Sequence, residues 1–159
     1  MDKVIVTGLL VIASVTAAVL VITTILPTIS SSSQSVASAQ REAADRMRTS
    51  IEIIAVSSNA AGTQIDVWVK NVGTITITAI DRSDVFLVQK GTRFDAMTYH
   101  QAGGPNTWET ELSDPTWRRG DTLHIIIEID PSEPVGDGDH TLIVSTPNGI
   151  TAEKPFQKP

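Results

Sequence analysis

Between Asp130 and Asp139 the chain reads Asp-Pro-Ser-Glu-Pro-Val-Gly-Asp-Gly-Asp. Asp130, Glu133, Asp137 and Asp139 place four carboxylates in ten residues, with Gly136 and Gly138 to fold the backbone. Carboxylate oxygens are the ligands Ca2+ takes, but their spacing here is not the regular one of an EF-hand loop. An acidic stretch rich in Pro and Gly is also what a solvated turn between strands looks like, and the turn is the favoured reading.

Other chemistry is harder to place. His100, His124 and His140 form no metal-type pair at i,i+2 or i,i+4. All three read as surface or rim histidines. Serines cluster at 30–38, with no Gly-x-Ser-x-Gly elbow around any of them. There is no phosphate loop or dinucleotide fingerprint. With no cysteine, disulfides and thiolate chemistry are excluded. The expectation is a non-enzymatic protein without a cofactor. Trp68, Trp108 and Trp117 could mark a sugar- or partner-binding surface, since Trp is favoured at interfaces. Trp117 reads better as core; Trp68 stays open between the two.

The element that organises the chain is its N-terminus. Val4 to Leu26 carries no charge and no proline, and its polar side chains are Thr7, Ser14, Thr16, Thr23 and Thr24. As a helix it would be roughly 35 Å long, enough to cross a bilayer core. A signal-peptide core is shorter and ends in a small-residue cleavage site, whereas this run ends in Thr-Ile-Leu-Pro. An uncleaved apolar helix is expected.

Past Pro27, the positions Ile25, Ile29, Ser32, Val36, Ala39, Ala43 and Met47 recur at helical spacing. Pro27 and Ser30–Ser33 predict a kink or a looser turn near 27–34. From Gln34 to Arg48 helix propensity is good, with Glu42 and Arg46 four apart and Asp45 and Arg48 three apart. One helix of about 45 residues follows, apolar first and amphipathic later. Gly8, Ala13, Ser14, Ala17 and Ala18 form a band where helix backbones could approach closely. With Leu9, Leu20, Ile25, Ile29, Val36, Ala43 and Met47 they are the candidate helix-packing positions. A membrane-proximal spacer in water is the plainer reading of the second half.

Charge divides the chain. Residues 1–56 balance, so the net −6 belongs to the remainder. An acidic head argues against nucleic acid, whose affinity comes from Lys and Arg on phosphates. The two expected parts are a hydrophobic-to-amphipathic helix over 1–50 and a head over 51–159. About 105 residues suffice for one small core.

The head reads as short strands. They are Ile51–Val56, Gln64–Lys70, Thr74–Ile80, Asp84–Gln89, Asp121–Ile129, His140–Thr146 and Ile150–Phe156. Leu123, Ile125, Ile127 and Ile129 form the inward row of the best of them. Asn71-Val-Gly73 predicts a turn or bulge in which Gly supplies a positive φ. Pro147-Asn-Gly149 predicts a hairpin turn. Residues 91–120 are least regular, with turn signals at Gly103–Asn106, Asp114-Pro115 and Arg118–Gly120; one or two short strands fit there, Trp108–Leu112 being the candidate. Regular turns and no helical period predict an α+β chain: a long N-terminal helix followed by an all-β, immunoglobulin-like sandwich.

A greasy helix that turns amphipathic and then enters a β-sandwich resembles the archaellins and other type IV pilin-like subunits of the archaellum. Three stretches are more specifically similar to the FlaG family of archaellum accessory proteins. They are Arg46-Met-Arg-Thr-Ser-Ile-Glu-Ile-Ile54, Val69-Lys-Asn-Val-Gly73 and Ile77-Thr-Ala-Ile-Asp-Arg-Ser-Asp-Val-Phe86. Lys70, Asn71, Gly73, Asp84, Val85 and Phe86 are the positions that carry the likeness. It covers the helix and the first third of the head. The likeness to archaellins implies polymerisation through the helix into a rotating filament with the heads outside. The likeness to FlaG implies a stator component of the envelope that assembles and touches the surface layer.

Pilin-like subunits begin with a basic leader cut just before the apolar run. Here only Lys3 precedes Gly8, and a cut after Gly8 would remove a quarter of the run. The acidic residue that bacterial pilins carry near the mature start has no counterpart in the run. A chain already mature, or never cut, is expected. The partners expected are further copies or other archaellum subunits, the membrane before assembly, and a surface-layer protein. A membrane-anchored extracellular binding or sensor domain is the alternative of another class.

Overall fold

In the computed structural model residues 2–89, 91–111 and 116–158 are described, with Leu26 described in its backbone only. The strand end at Leu112 and the turn signal Asp114-Pro115 lie outside the described residues. The chain divides into two compact units, Met1–Ala43 and Ala44–Pro159.

The first unit is helix. Helix α1 runs unbroken from Asp2 to Arg48. Its 18-residue core window has a mean hydropathy of 2.7 and none of it is buried. Its hydroxyls turn inward on their own backbone. Thr7 Oγ1 donates to Lys3 O (2.8 Å), Thr16 to Ile12 O (2.8 Å) and Thr23 to Val19 O (2.9 Å). These side chains ask nothing of their surroundings, so the run suits an apolar environment in spite of them. The loosened turn expected near 27–34 does not form, because α1 continues through Pro27. Pro27 removes a single N–H from the ladder, and the helix absorbs that loss.

The second unit opens on the last turn of α1, and its described residues continue as eight strands. These are β1 (Ile51–Ser58), β2 (Gln64–Asn71), β3 (Asp84–Gln89), β4 (Arg93–Tyr99), β5 (Thr107–Thr110), β6 (Thr122–Glu128), β7 (Asp139–Ser145) and β8 (Thr151–Gln157). Strands β1-β2-β6-β5 make one sheet and β4-β3-β7-β8 the other. The sheets join through a short parallel pairing of β4 and β5, Thr98↔Thr107 and Tyr99↔Trp108. At the opposite margin β1 and β8 lie side by side. The result is a sandwich that is nearly a barrel.

Period-2 alternation sorts the residues. Ile65, Val67 and Val69 of β2 and Leu123, Ile125 and Ile127 of β6 are at most 1% exposed. Val85 and Leu87 of β3 and Leu142 and Val144 of β7 meet them from the facing sheet. Trp108 and Trp117 are core as well, each 1% exposed, and Trp117 Nε1 donates to Asp121 O (3.0 Å). Trp68 is half-buried on the outward side of β2.

Four expectations give way. Thr74–Ile80 is not a strand. It crosses from one sheet to the other, pairs only through the bridge Ile77↔Trp117, and ends in a 3-10 turn at Ile80–Arg82 entered by Ala79 at φ 56. Its alternating Ile still point inward at Ile77 and Ile80, which is why it resembled a strand. Conversely, Arg93–Tyr99 is a full strand that the pattern concealed. Only Met97 of its seven residues is buried, and Phe94 is 67% exposed. His140 is not a rim residue: it is 1% exposed, its Nε2 lies 2.9 Å from Gly136 O, and its ring tilts against Phe156. Gly73, finally, has no positive φ; its reason lies in what passes beside it.

Candidate assembly surface

The helix-packing positions are all open. Gly8, Leu9, Ala13, Ala17, Ala18, Leu20, Ile25, Ile29, Val36, Ala43 and Met47 are exposed along α1. A Cβ added at Gly8 would meet nothing within 4 Å. At about 100° per residue, Ala18, Ile25, Ile29, Val36 and Ala43 fall within about 40° of one line. Leu9, Ala13 and Leu20 fall on the opposite side, and Gly8 and Ala17 on neither. The first half of α1 is therefore apolar all round, and the second has one apolar stripe. A helix apolar all round must be surrounded, by lipid or by other helices. A striped helix needs cover on one side only.

Of the family-like motif, Asn71 and Gly73 lie where the last turn of α1 meets the sheets. Asn71, 0% exposed, closes β2. Its Nδ2 donates to Ile75 O (2.9 Å) and Trp117 O (3.0 Å), and its Oδ1 accepts from Gly73 N (3.0 Å). Val72 N and Gly73 N both donate to Ser50 O, and Thr74 N donates to Arg48 O (2.9 Å). A Cβ on Gly73 would stand 2.6 Å from Arg48 O and 2.6 Å from Ser50 N. Glycine is required there by contact, not by conformation. Lys70 opposes Glu52 across the β1–β2 ladder. Asp84 is exposed at the start of β3, Val85 is core, and Phe86 stacks on Phe94 with centroids 5.6 Å apart.

A second tie comes from the β7–β8 turn, which forms as the Pro147-Asn-Gly149 signal predicts. Asn148 Nδ2 donates to Thr49 Oγ1 (2.6 Å), and Thr49 Oγ1 donates on to Asp45 O (2.8 Å). The last turn of α1 is thus held on both sides. Beside it lies a cleft of about 350 Å3, lined by Asp45, Thr49, Thr76, Arg82 and Asn148 among others. Thr49 and Asn148 were not singled out from sequence. An Asn inside a tight turn signals only the turn, since nothing local reveals the distant hydroxyl it reaches.

The acidic loop does not gather. Asp130 Oδ1 accepts from the N–H and hydroxyl of Ser132, which hold its carboxyl below the usual range. Asp139 accepts from Gln157 Nε2 (2.6 Å), and Asp137 lies 3.8 Å from Lys158 Nζ. Arg93 pairs with Asp95 and also donates to Glu133 O (2.8 Å), fastening the loop by its backbone. Among the described residues no three of His, Asp or Glu come together as metal ligands.

The outward face of the first sheet is different. Trp68 and His124, opposed in the β2–β6 register, stack nearly parallel with centroids 4.9 Å apart and planes at 6°. His124 Nε2 lies 3.1 Å from Asp66 Oδ1, and its Nδ1 lies 3.4 Å from Glu111 Oε2. The outward face of the second sheet is apolar instead, with Phe86, Val88, Phe94, Ala96 and Ile143 partly or fully exposed.

A model of the archaeal-type flagellin family matches residues 3–156. An uncharacterized protein of Archaeoglobus fulgidus is 30% identical over 158 residues, 97% of each chain. Among solved structures, the archaellum periplasmic stator protein FlaG from Sulfolobus acidocaldarius is similar in fold. Its TM-score is 0.57 at 24% identity, covering 68% of this chain and 99% of that one. The archaeal flagellum of Methanospirillum hungatei gives a TM-score of 0.72 at 12% identity, covering 97% of this chain and 92% of its own.

Proposed function

This chain belongs to the archaeal-type flagellin family and is a structural subunit of the archaellum type, and from that premise we propose how it works. It polymerises through α1, with the β head outward, and carries out no catalysis. Before assembly α1 lies in the membrane; on leaving it, the helix buries its apolar surface against identical helices. The observation that carries this is the exposure of the described side chains of the run, Val4 at 78% and Leu20 at 60%. Covering each Leu- or Ile-sized side chain is worth roughly 1.5–3 kcal/mol. Its hydroxyls are already satisfied, so nothing polar opposes the transfer.

The test replaces Val4–Ile25 with a generic poly-Leu/Ala helix of equal length. A tether tolerates that; a polymerising helix does not. Membrane retention with loss of filaments, seen by electron microscopy, is expected. Filaments indistinguishable from wild type would overturn the reading. A second reading is an accessory role at the base of the motor, in contact with a surface-layer protein. It is favoured by the likeness of the head to the FlaG stator protein. Under it, the wild-type chain stays in envelope fractions and forms short assemblies without filaments.

A further inference from the structure

Strand register makes the outward face of the second sheet apolar. Val88 stands opposite Phe94, and Phe86 stands between Ala96 and Ile143. With Pro155 of β8 they form a contiguous patch around the Phe86–Phe94 stack, and Phe94 is 67% exposed. A patch of this kind marks a place of contact. It crosses four strands, β4 to β8, about 14 Å at sheet spacing. Among the described residues the charges on this face have one sign. Asp84 and Glu153 are exposed at its rim, Asp139 is tied to Gln157, and no lysine or arginine holds an outward position.

The second half of α1 carries a ridge of matching length and charge. Val36, Ala43 and Met47 recur on one line, and Met47 is 87% exposed. From Val36 to Met47 the helix covers about 16 Å. Residues 34–48 hold Arg41, Arg46 and Arg48 against Glu42 and Asp45, a balance opposite in sign to that of the sheet face. Arg41 and Arg48 share one flank of the ridge, about 10 Å apart. Asp84 and Glu153 stand two strands apart and are separated by about 12 Å. Arginine stems lie along apolar surface and keep the guanidinium polar, so this pair can reach a carboxylate rim while the ridge is buried.

We propose that the apolar face of the second sheet in one head covers the Val36–Met47 ridge of a second copy. The first half of α1, apolar all round, packs among helices. The second half, apolar on one line, takes a sheet instead. Each subunit offers one ridge and one face, so the contact is heterologous and propagates from copy to copy unless the rotation closes a ring. The proposal rests on the polymer reading and names its second contact, between head and helix.

The chain has no cysteine, so introduced thiols report one contact at a time. A tagged full-length chain carrying Val36→Cys or Met47→Cys is co-expressed with an untagged chain carrying Phe94→Cys, and the assemblies are oxidised. A disulfide requires Cβ atoms roughly 4 Å apart. From one ridge position or the other, mixed dimer on non-reducing gels is expected. It should exceed roughly ten-fold the dimer formed when the untagged chain carries Ser57→Cys, exposed on the first sheet. Phe94→Glu should lower the sedimentable fraction with the melting temperature unchanged, since the position is exposed; Ser57→Glu should not. Equal cross-linking to Ser57→Cys, dimers of Phe94→Cys chains with each other in place of the mixed dimer, or normal assembly of Phe94→Glu would each overturn this contact. Filaments that form with no mixed dimer from either ridge position would overturn it and leave the polymer reading standing. If the wild type itself never assembles, the polymer reading fails first and takes the contact with it.

Discussion

Lys154 of β8 donates its ammonium to the carbonyl of Ile54 of β1 at 2.6 Å, and to that of Ile53 at 3.1 Å. Ile54 is the extra residue of a β-bulge, for the β1–β2 register steps from Ile53↔Val69 to Ala55↔Trp68. A bulge leaves its residue without a ladder partner. Here one side chain from the other sheet satisfies those carbonyls and joins the margin where the sandwich would otherwise be open. Lys154→Met should therefore cost about 1 kcal/mol, as expected for hydrogen bonds at a partly solvated site. It should also make β1 a better template for aggregation. Thermal unfolding and light scattering of the variant check both; no change in either would show the lysine to be ornamental.

Gly73→Ala should cost several kcal/mol, since its Cβ would strike backbone at Arg48 and Ser50 that cannot rotate away. Gly91→Ala, at φ +80 in open space, should cost about 1 kcal/mol, from backbone strain alone. Melting temperatures rank the two. Equal losses would mean that the close approach at Gly73 relaxes freely.

Ile127→Asp places a charge in a core row that is 0% exposed and should unfold the head. Glu128→Lys, one residue on, is milder but not silent, because Glu128 Oε2 accepts from Gly104 N at 2.6 Å. About 1 kcal/mol is expected for that loss. The ratio of the two, read by denaturant unfolding, tests the assignment of faces on β6.

Asp130 titrates below an ordinary carboxylate because Ser132 donates to its ionised form. A depressed native pKa stabilises the fold above the unfolded pKa, and that contribution is lost as pH falls through the native one. Ser132→Ala should raise the Asp130 pKa toward the usual value, as read by carbon-detected NMR titration. An unmoved titration would place the cause elsewhere.

Ala17→Leu with Ala18→Leu should leave membrane insertion intact and abolish assembly. Both positions are exposed on the isolated helix, so an isobutyl group meets nothing there. Between close-packed helices it would cost roughly 1–3 kcal/mol at every repeated contact. Membrane fractionation beside electron microscopy decides; normal filaments from the double variant would rule out close packing at this band.

Much of this was legible from spacing alone. The continuous run Val4–Ile25 and the Leu123–Ile129 row announced helix and core through period, which is a local property. Arg93–Tyr99 escaped because a strand that buries one residue in seven carries almost no period to read. Thr74–Ile80 misled for the opposite reason: its alternation places Ile77 in the core, and Ile80 follows it there, while its strand pairing is a single bridge to Trp117. At the junction, Lys70–Gly73 stood out by likeness, but the reason for its glycine lies in distant backbone. Gly73 is explained by atoms of Arg48 and Ser50, more than twenty positions earlier in the chain. Asn148 and Thr49 are farther apart still, and neither residue type hints at the other.

The ties at the last turn of α1 have a mechanical consequence. Thr74 to Arg48, and Val72 and Gly73 to Ser50, are main-chain bonds arranged side by side rather than end to end. Asn148 adds a strut from the far side. Bonds in parallel share a load and must fail together, whereas bonds in series unzip one at a time. A twist applied to that turn therefore reaches the sheets as rotation, with little of it absorbed in a swivel, and the stiffness of this coupling is set by backbone geometry that surface mutation scarcely touches.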